Sequence, residues 1–373
     1  MQIDIKYFVL HLSFICGIIL YEGISFAQVV DTTLNEEERQ FRDSIASLNI
    51  DFELLQKSQE YYNEGIQLFE QKKYKAAIMS FDAAVELNPA FTEAYFNRGA
   101  AHLQLKEFEK AVNDFSTVID SNATHANARF KRAETFTGLK DFKKAIMDYK
   151  KVIELEPQNA NARYNLGDIL FIMEDYENSI VEFSKAIALK KDYAYAYNDR
   201  GSCYRQLGKY PEAISDYEKA ASINPGLAFI YNNIGSARKK MKDFNGAITA
   251  YSNAIKINPG FFLAYNNRGA IFLEQGKYQE AITNFNEAIK LNSKYALAYN
   301  NRGLVKHKLE KYQEAITDFD KAILLNSNYA IAYLNRGITK EMARDPEGAC
   351  ADWKKAKELG VEQGKKYLIN DCN

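Results

Sequence analysis

From Ser58 onward, apolar and small residues return every 34 residues, in lines that begin at Ser58, Thr92, Ala126, Ala160, Ala194, Ala228, Phe262, Ala296 and Ala330. No insertion breaks the register. The spacing within a line is helical. In the seventh, Tyr265, Gly269 and Phe272 lie on one stripe, and Ala281, Ile282, Phe285, Ala288 and Ile289 follow the i, i+4, i+7 spacing of a second. The eighth place is glycine in eight of nine lines, with Ala133 in the third; the twentieth is alanine or serine, and the twenty-fourth is always aromatic, from Phe81 to Trp353. Small residues on both stripes let two helices approach closely, and the aromatic ring fills the gap beside them. Each line is predicted to be a helical hairpin.

The ends of the helices are marked as well. Asn88, Asn224 and Asn258 precede Pro89, Pro225 and Pro259 where the second helix stops, while Pro211 and Pro346 sit where a second helix begins. Places seven and twenty-three, on opposite helices of one hairpin, pair Arg98 with Asp114, Arg132 with Asp148, Arg200 with Asp216, Arg302 with Asp318 and Arg336 with Asp352, whereas the sixth line has Ile234 and Ala250. These places are expected to touch. Exposed ion pairs there would add about 0.2–1 kcal/mol each.

With glycine at place eight, alanine at twenty and twenty-seven, an aromatic at twenty-four and proline at thirty-two, the line resembles the tetratricopeptide repeat (TPR) over residues 58–363. The resemblance is to an exported, bacterial-type member. It implies an all-α fold, a right-handed superhelical solenoid of nine helix-turn-helix repeats (58–91, 92–125, 126–159, 160–193, 194–227, 228–261, 262–295, 296–329 and 330–363) whose first helices line a concave groove. The end repeats need polar covers. Residues 28–57 read as a linker or capping segment. A possible capping box at Thr33 to Glu36 precedes Ile45, Leu48, Phe52 and Leu55, which predict a short amphipathic helix leaning on repeat one. At the other end, Val361 to Ile369 predict a last capping helix that continues into residues 364–373.

Residues 1–27 differ from the rest. Lys6, an apolar run from Tyr7 to Leu20 and Ser25-Phe26-Ala27 resemble a secretory signal peptide cut before Gln28. The expectation is a secreted or periplasmic protein with no membrane insertion after cleavage; the alternative is an anchor formed by an uncleaved segment. The whole chain carries 48 Lys and Arg against 49 Asp and Glu. Without 1–27 it keeps 47 of each sign, so nucleic acid is not an expected partner. Four cysteines exclude a disulfide-dense scaffold, but Cys350 and Cys372 are expected to pair. Folding the tail back over Gly360 returns Cys372 to the level of Cys350, and closing such a loop stabilises by roughly 3 kcal/mol.

No catalytic domain fits beside the repeats. His102, His125 and His307 are widely separated, and the chain holds no GxSxG, phosphate loop or GxGxxG, so no enzyme, metal or cofactor is expected. Candidate recognition residues lie in the groove. Place six is asparagine in seven lines, including Asn233, Asn267, Asn301 and Asn335, and place five adds Asn198, Asn232, Asn266 and Asn300. A carboxamide can hold both the N–H and the C=O of a passing peptide. The row is similar to the asparagine ladder in the superhelix of O-linked N-acetylglucosamine transferase, or it is the family's default residue on a wet face. Phe229, Leu263 and Leu297 at place two supply apolar contacts, and Lys239 and Lys240 a basic spot for an acidic segment. The chain therefore reads as a non-enzymatic scaffold that binds an extended segment of another protein. The alternatives are an accessory subunit presenting substrates to a separate enzyme, and a self-associating structural protein.

Overall fold

A computed structural model describes residues 35–362 and Cys372. The signal segment and residues 363–371 of the expected last helix lie outside the described residues. The described residues form eighteen α-helices and no strand, in two compact units divided after Asp148.

The first unit holds α1 (Glu36–Glu70), α2 (Tyr74–Leu87), α3 (Thr92–Gln104), α4 (Phe108–Ser121), α5 (Ala126–Gly138) and the first turns of α6 (Phe142–Leu155). From Tyr149 the second holds the rest of α6, then α7 (Ala160–Ile172), α8 (Tyr176–Leu189), α9 (Ala194–Gln206), α10 (Tyr210–Ile223), α11 (Ala228–Lys240) and α12 (Phe244–Ile257). It continues through α13 (Phe262–Glu274), α14 (Tyr278–Leu291), α15 (Ala296–Lys308), α16 (Tyr312–Leu325), α17 (Ala330–Met342) and α18 (Pro346–Glu358). Odd and even helices pair into hairpins, and each hairpin packs on the next within its unit.

The hairpin core follows from the small places. Ala213, Ala247, Ala281 and Ala315 at place twenty are fully buried, as are Tyr217, Phe285 and Phe319 at place twenty-four. The glycine at place eight exists for these rings: a Cβ on Gly235 would stand 2.6 Å from Tyr251, and one on Gly269 2.8 Å from Phe285. At the far end of six hairpins an asparagine caps the helix: Asn88, Asn122, Asn224, Asn258, Asn292 and Asn326. Its Oδ1 accepts from the backbone N–H two residues on, as Asn224 does from Gly226 at 3.3 Å and Asn258 from Gly260 at 2.9 Å.

The N-terminal expectation is corrected. No separate short helix leans on repeat one: Asn35 caps one continuous 35-residue helix through a capping box with Glu38, and the Thr33 expected to begin one lies outside the described residues. Nothing between Glu36 and Glu64 breaks a helix, since that stretch has neither proline nor glycine. Ile45, Leu48, Phe52 and Leu55 are exposed along it.

Candidate functional site

Each place-seven arginine joins three helices. Arg200 on α9 donates from Nε and Nη2 to Asp216 on α10, both at 2.7 Å, and from Nη1 to Ser184 Oγ on α8 at 2.9 Å. The same fork holds Arg98 to Asp114 and Asp82, Arg132 to Asp148 and Ser116, Arg302 to Asp318 and Asn286, and Arg336 to Asp352 and Asp320. The expected pairs thus form, but they are not exposed. All five aspartates are buried, so each pair belongs to the hairpin interior and a lone partner would be costly. The bonds to Asp216 hold the Arg200 guanidinium above its ordinary range against the opposing effect of burial. In repeat seven the partner is neutral Asn284, and burial pushes Arg268 down instead. Beside Ile234 and Ala250, which stand in the pair's places, lies a cleft of about 370 Å³ lined by Tyr231, Ile234, Arg238 and Asn253; a cleft of about 530 Å³ lies beside the intact pair of Arg98 and Asp114.

The asparagines are engaged with one another. Asn233 Nδ2 donates to Asn198 Oδ1 at 2.9 Å, Asn267 to Asn232 at 2.9 Å, Asn301 to Asn266 at 3.0 Å and Asn335 to Asn300 at 3.0 Å. Place six of one hairpin therefore bonds place five of the hairpin before it. Tyrosine fills the acceptor's place in Tyr62 with Asn97, at 3.0 Å, and a tyrosine hydroxyl donates the other way from Tyr164 to Asp199, at 2.6 Å. This corrects the groove assignment. Asn198, Asn266 and Asn300 are buried bridging residues that no passing peptide reaches, and Asn232 accepts a bridge too. Asn233, Asn267, Asn301 and Asn335 stay half-exposed, with one N–H of each already committed to the neighbouring hairpin.

The open surface beside them is apolar. Place two carries Tyr195, Phe229, Leu263, Leu297 and Ile331, all exposed or half-exposed, with the Tyr195 and Phe229 rings stacked 6.2 Å apart. In repeats one to four the same place is Gln59, Glu93, Asn127 and Asn161. Ile331 was absent from the sequence candidates, although the 34-residue count points to it. Lys239 lies 3.9 Å from Glu274, and Arg238 pairs with Glu218 at 3.0 Å, so much of the basic spot is neutralised locally while Lys240 stays exposed. An acidic pair also escaped the sequence reading. Burial raises the Asp199 carboxyl against the bonds from Tyr164 and Asn198, and burial with the field of Asp199 raises Asp168.

The remaining candidates have local roles. His102 Nδ1 lies 2.7 Å from Glu107, His125 accepts from the Ala128 N–H at 3.1 Å to cap α5, and His307 contacts Thr339 Oγ1 at 3.0 Å. Cys350 and Cys372 are disulfide-bonded with Cα atoms 5.7 Å apart, and both pack on the cluster of Leu334, Trp353 and Ala356 that closes the last hairpin.

A sequence profile described as TPR repeat matches residues 65–106, 135–171, 167–204, 236–276 and 269–310. Two described as tetratricopeptide repeat match 92–125, 194–227 and 296–329. No curated protein matches the chain. Among solved structures, a tetratricopeptide repeat protein from Parabacteroides merdae ATCC 43184 is 21% identical with a TM-score of 0.55, over 66% of this chain and 99% of that one. The C-terminal part of a TPR repeat-containing protein from Cytophaga hutchinsonii is 16% identical with a TM-score of 0.55, over 64% and 98%. A chain of the APC/C hetero-tetramer Cut9-Hcn1 is 14% identical with a TM-score of 0.55, over 85% and 76%. These likenesses are of fold alone.

Proposed function

The chain belongs to the tetratricopeptide repeat family, whose stacked hairpins serve as protein-interaction scaffolds, and from that premise we propose that repeats five to nine bind an extended, apolar-patterned segment of another protein. The observation that carries this reading is the place-two row, polar in repeats one to four and Tyr195, Phe229, Leu263, Leu297 and Ile331 thereafter. Helices of neighbouring hairpins pack roughly 8–10 Å apart. A polyproline-type strand advances about 9 Å in three residues and returns the same face each turn. The bound segment therefore presents an apolar side chain at every third position, one for each hairpin. The half-exposed asparagines beside the row are left to meet its backbone with the N–H that the bridges do not use and with the remaining lone pairs of Oδ1, which in Asn267 and Asn301 also accepts from Asn266 and Asn300 at 3.4 Å. An accessory subunit presenting substrates to a separate enzyme would use the same row.

Selection from a library of random 12-residue peptides tests the reading. Enriched sequences are expected to carry an apolar residue at every third position and to lose about ten-fold or more in affinity when Phe229, Leu263 and Leu297 are all changed to Ser. Enriched peptides indifferent to that triple change move recognition away from the row.

Export with cleavage before Gln28 is part of the proposal, supported by Lys6, the Tyr7 to Leu20 run and Ser25-Phe26-Ala27. Among the described residues no helix is long and apolar enough to cross a membrane. The intact mass of protein made in its own host decides it, and a chain still carrying residues 1–27 selects the anchored alternative.

A further inference from the structure

Helix α1 is 35 residues long, whereas its hairpin partner α2 is 14. The hairpin uses only the last turns of α1. Ser58 Oγ donates to the Ala84 carbonyl at 2.8 Å, Tyr62 packs on Phe81, and Phe69 meets Tyr74. Residues 36–57 run beyond α2 for about 33 Å at 1.5 Å per residue, and none of them is buried.

That projecting stretch is patterned. Phe41, Ile45, Leu48, Phe52 and Leu55 are 52%, 42%, 67%, 60% and 50% exposed, and they follow one another at spacings of four, three, four and three. Continued by the same count, the stripe crosses one polar, exposed residue, Gln59, and then reaches Tyr62, Ile66 and Phe69, the side of α1 that the hairpin covers, so beyond that step an established packing face goes on without cover. Strict alternation of three and four makes a narrow seam. A helix on a multi-helix core shows a broader face, while a seam of this kind is what two supercoiled helices bury between them. Of the other large apolar residues here, Ile50 and Leu54 fall on the opposite side.

The charges beside the seam select the partner. With Phe41, Leu48 and Leu55 at position d and Ile45 and Phe52 at position a, the flanking g and e positions are Glu37 and Arg42, Ser44 and Asn49, Asp51 and Gln56. A parallel, in-register second copy brings each g residue beside the e residue five positions on. Glu37 then meets the opposing Arg42, the other two pairs are polar, and none is repulsive. Arg42 lies 2.9 Å from Asp43 of its own helix, and the opposing Glu37 adds a second carboxylate to the same guanidinium.

We propose that residues 36–57 of α1 form a dimerisation stem in which a second copy of this chain lies parallel along the seam from Phe41 to Leu55. The stem is separate from the groove, so its test stands apart from that of peptide binding. Sedimentation equilibrium of the full chain from about 1 to 100 μM is expected to give twice the chain mass. Leu48→Glu with Phe52→Glu should weaken the dimer by about 100-fold or more while leaving the circular dichroism spectrum and the melting of the repeats unchanged, because both side chains are exposed in the single chain. In a Cys16→Ser background, Leu48→Cys should form an interchain disulfide on mild oxidation, and Ser47→Cys, which points off the seam, should not. A monomer throughout the range overturns the proposal: slow alkylation of Leu48→Cys would then show that the chain covers its own seam, and fast alkylation that the seam is open to a different protein. A dimer indifferent to Leu48→Glu with Phe52→Glu overturns it as well.

Discussion

Arg200 grips Asp216 through two bonds of 2.7 Å, and one repeat later Ile234 and Ala250 stand in the same two places. The fold therefore accepts a buried ion pair or an apolar pair at these places, and in repeat seven an arginine bonded to neutral Asn284. Arg200→Ala leaves the Asp216 carboxylate buried without its cation and is expected to cost about 3 kcal/mol, with Asp216→Ala costing a similar amount. Arg200→Ile combined with Asp216→Ala reproduces the repeat-six arrangement and should lie within about 1 kcal/mol of the parent. Urea titration of the four chains closes the cycle. Single effects that simply add in the double variant would show that the pair is not a unit.

The asparagine row leads to a second expectation, opposite to that of a wet-face ligand row. Asn301 Nδ2 supplies the hydrogen bond to Asn266 Oδ1, and Asn266 is 2% exposed. Asn301→Ala removes the donor and leaves the buried oxygen unpaired, at a cost of about 1–3 kcal/mol. Asn301→Ala with Asn266→Leu should recover part of it. A denaturation midpoint unmoved by Asn301→Ala would mean that the bridge contributes nothing to stacking.

The hairpins themselves were legible because Gly65, Phe81 and their equivalents recur at one fixed interval, and close packing of a ring on a glycine tolerates no drift. The inter-hairpin bridges were not, since they join place six to place five, a step of 35 residues that disappears when equal places are compared. The burial of Asp216 was equally hidden: arginine opposite aspartate spells a surface pair as readily as an interior one. In α1 the missing breakers between Glu36 and Glu64 were there to be read, but an exposed apolar seam runs against the expectation that such residues turn inward.

Backbone conformation at place fifteen is a further feature with no sequence signature. Lys72, Lys106, Lys140, Glu174, Lys242, Glu310 and Arg344 all have positive φ there, as do Gly208 and Gly276. The turn between the two helices requires the left-handed region, and most lines adopt it without glycine. Glu310→Gly is expected to stabilise by about 0.5–1 kcal/mol, the left-handed penalty partly offset by the greater freedom of unfolded glycine. Gly208→Ala and Gly276→Ala should each cost about 1 kcal/mol through conformation alone, because the space around an added Cβ is open at both. Thermal melts of the three variants check the direction of each change.

Asp199 occupies the place that asparagine fills in most other lines, and its carboxylate accepts from Tyr164 at 2.6 Å and from Asn198 at 2.9 Å. Burial outweighs these bonds and raises its pKa, and Asp168 is raised by burial and by the charge of Asp199. Both folded-state values lie above the unfolded ones, so the native state binds protons more tightly. The stability these groups contribute is fully present below the unfolded carboxylate range and is lost as pH rises through their folded values. Asp199→Asn keeps an acceptor for Tyr164 and removes the half-buried charge. At pH 7 it is expected to raise stability by about 1 kcal/mol or more, and the advantage should shrink as the pH falls and Asp199 of the parent takes up its proton. Melting temperatures of parent and variant between pH 7.5 and pH 4, values chosen to bracket roughly the raised carboxylate range, read out that difference. A gap independent of pH would assign it to packing rather than to charge.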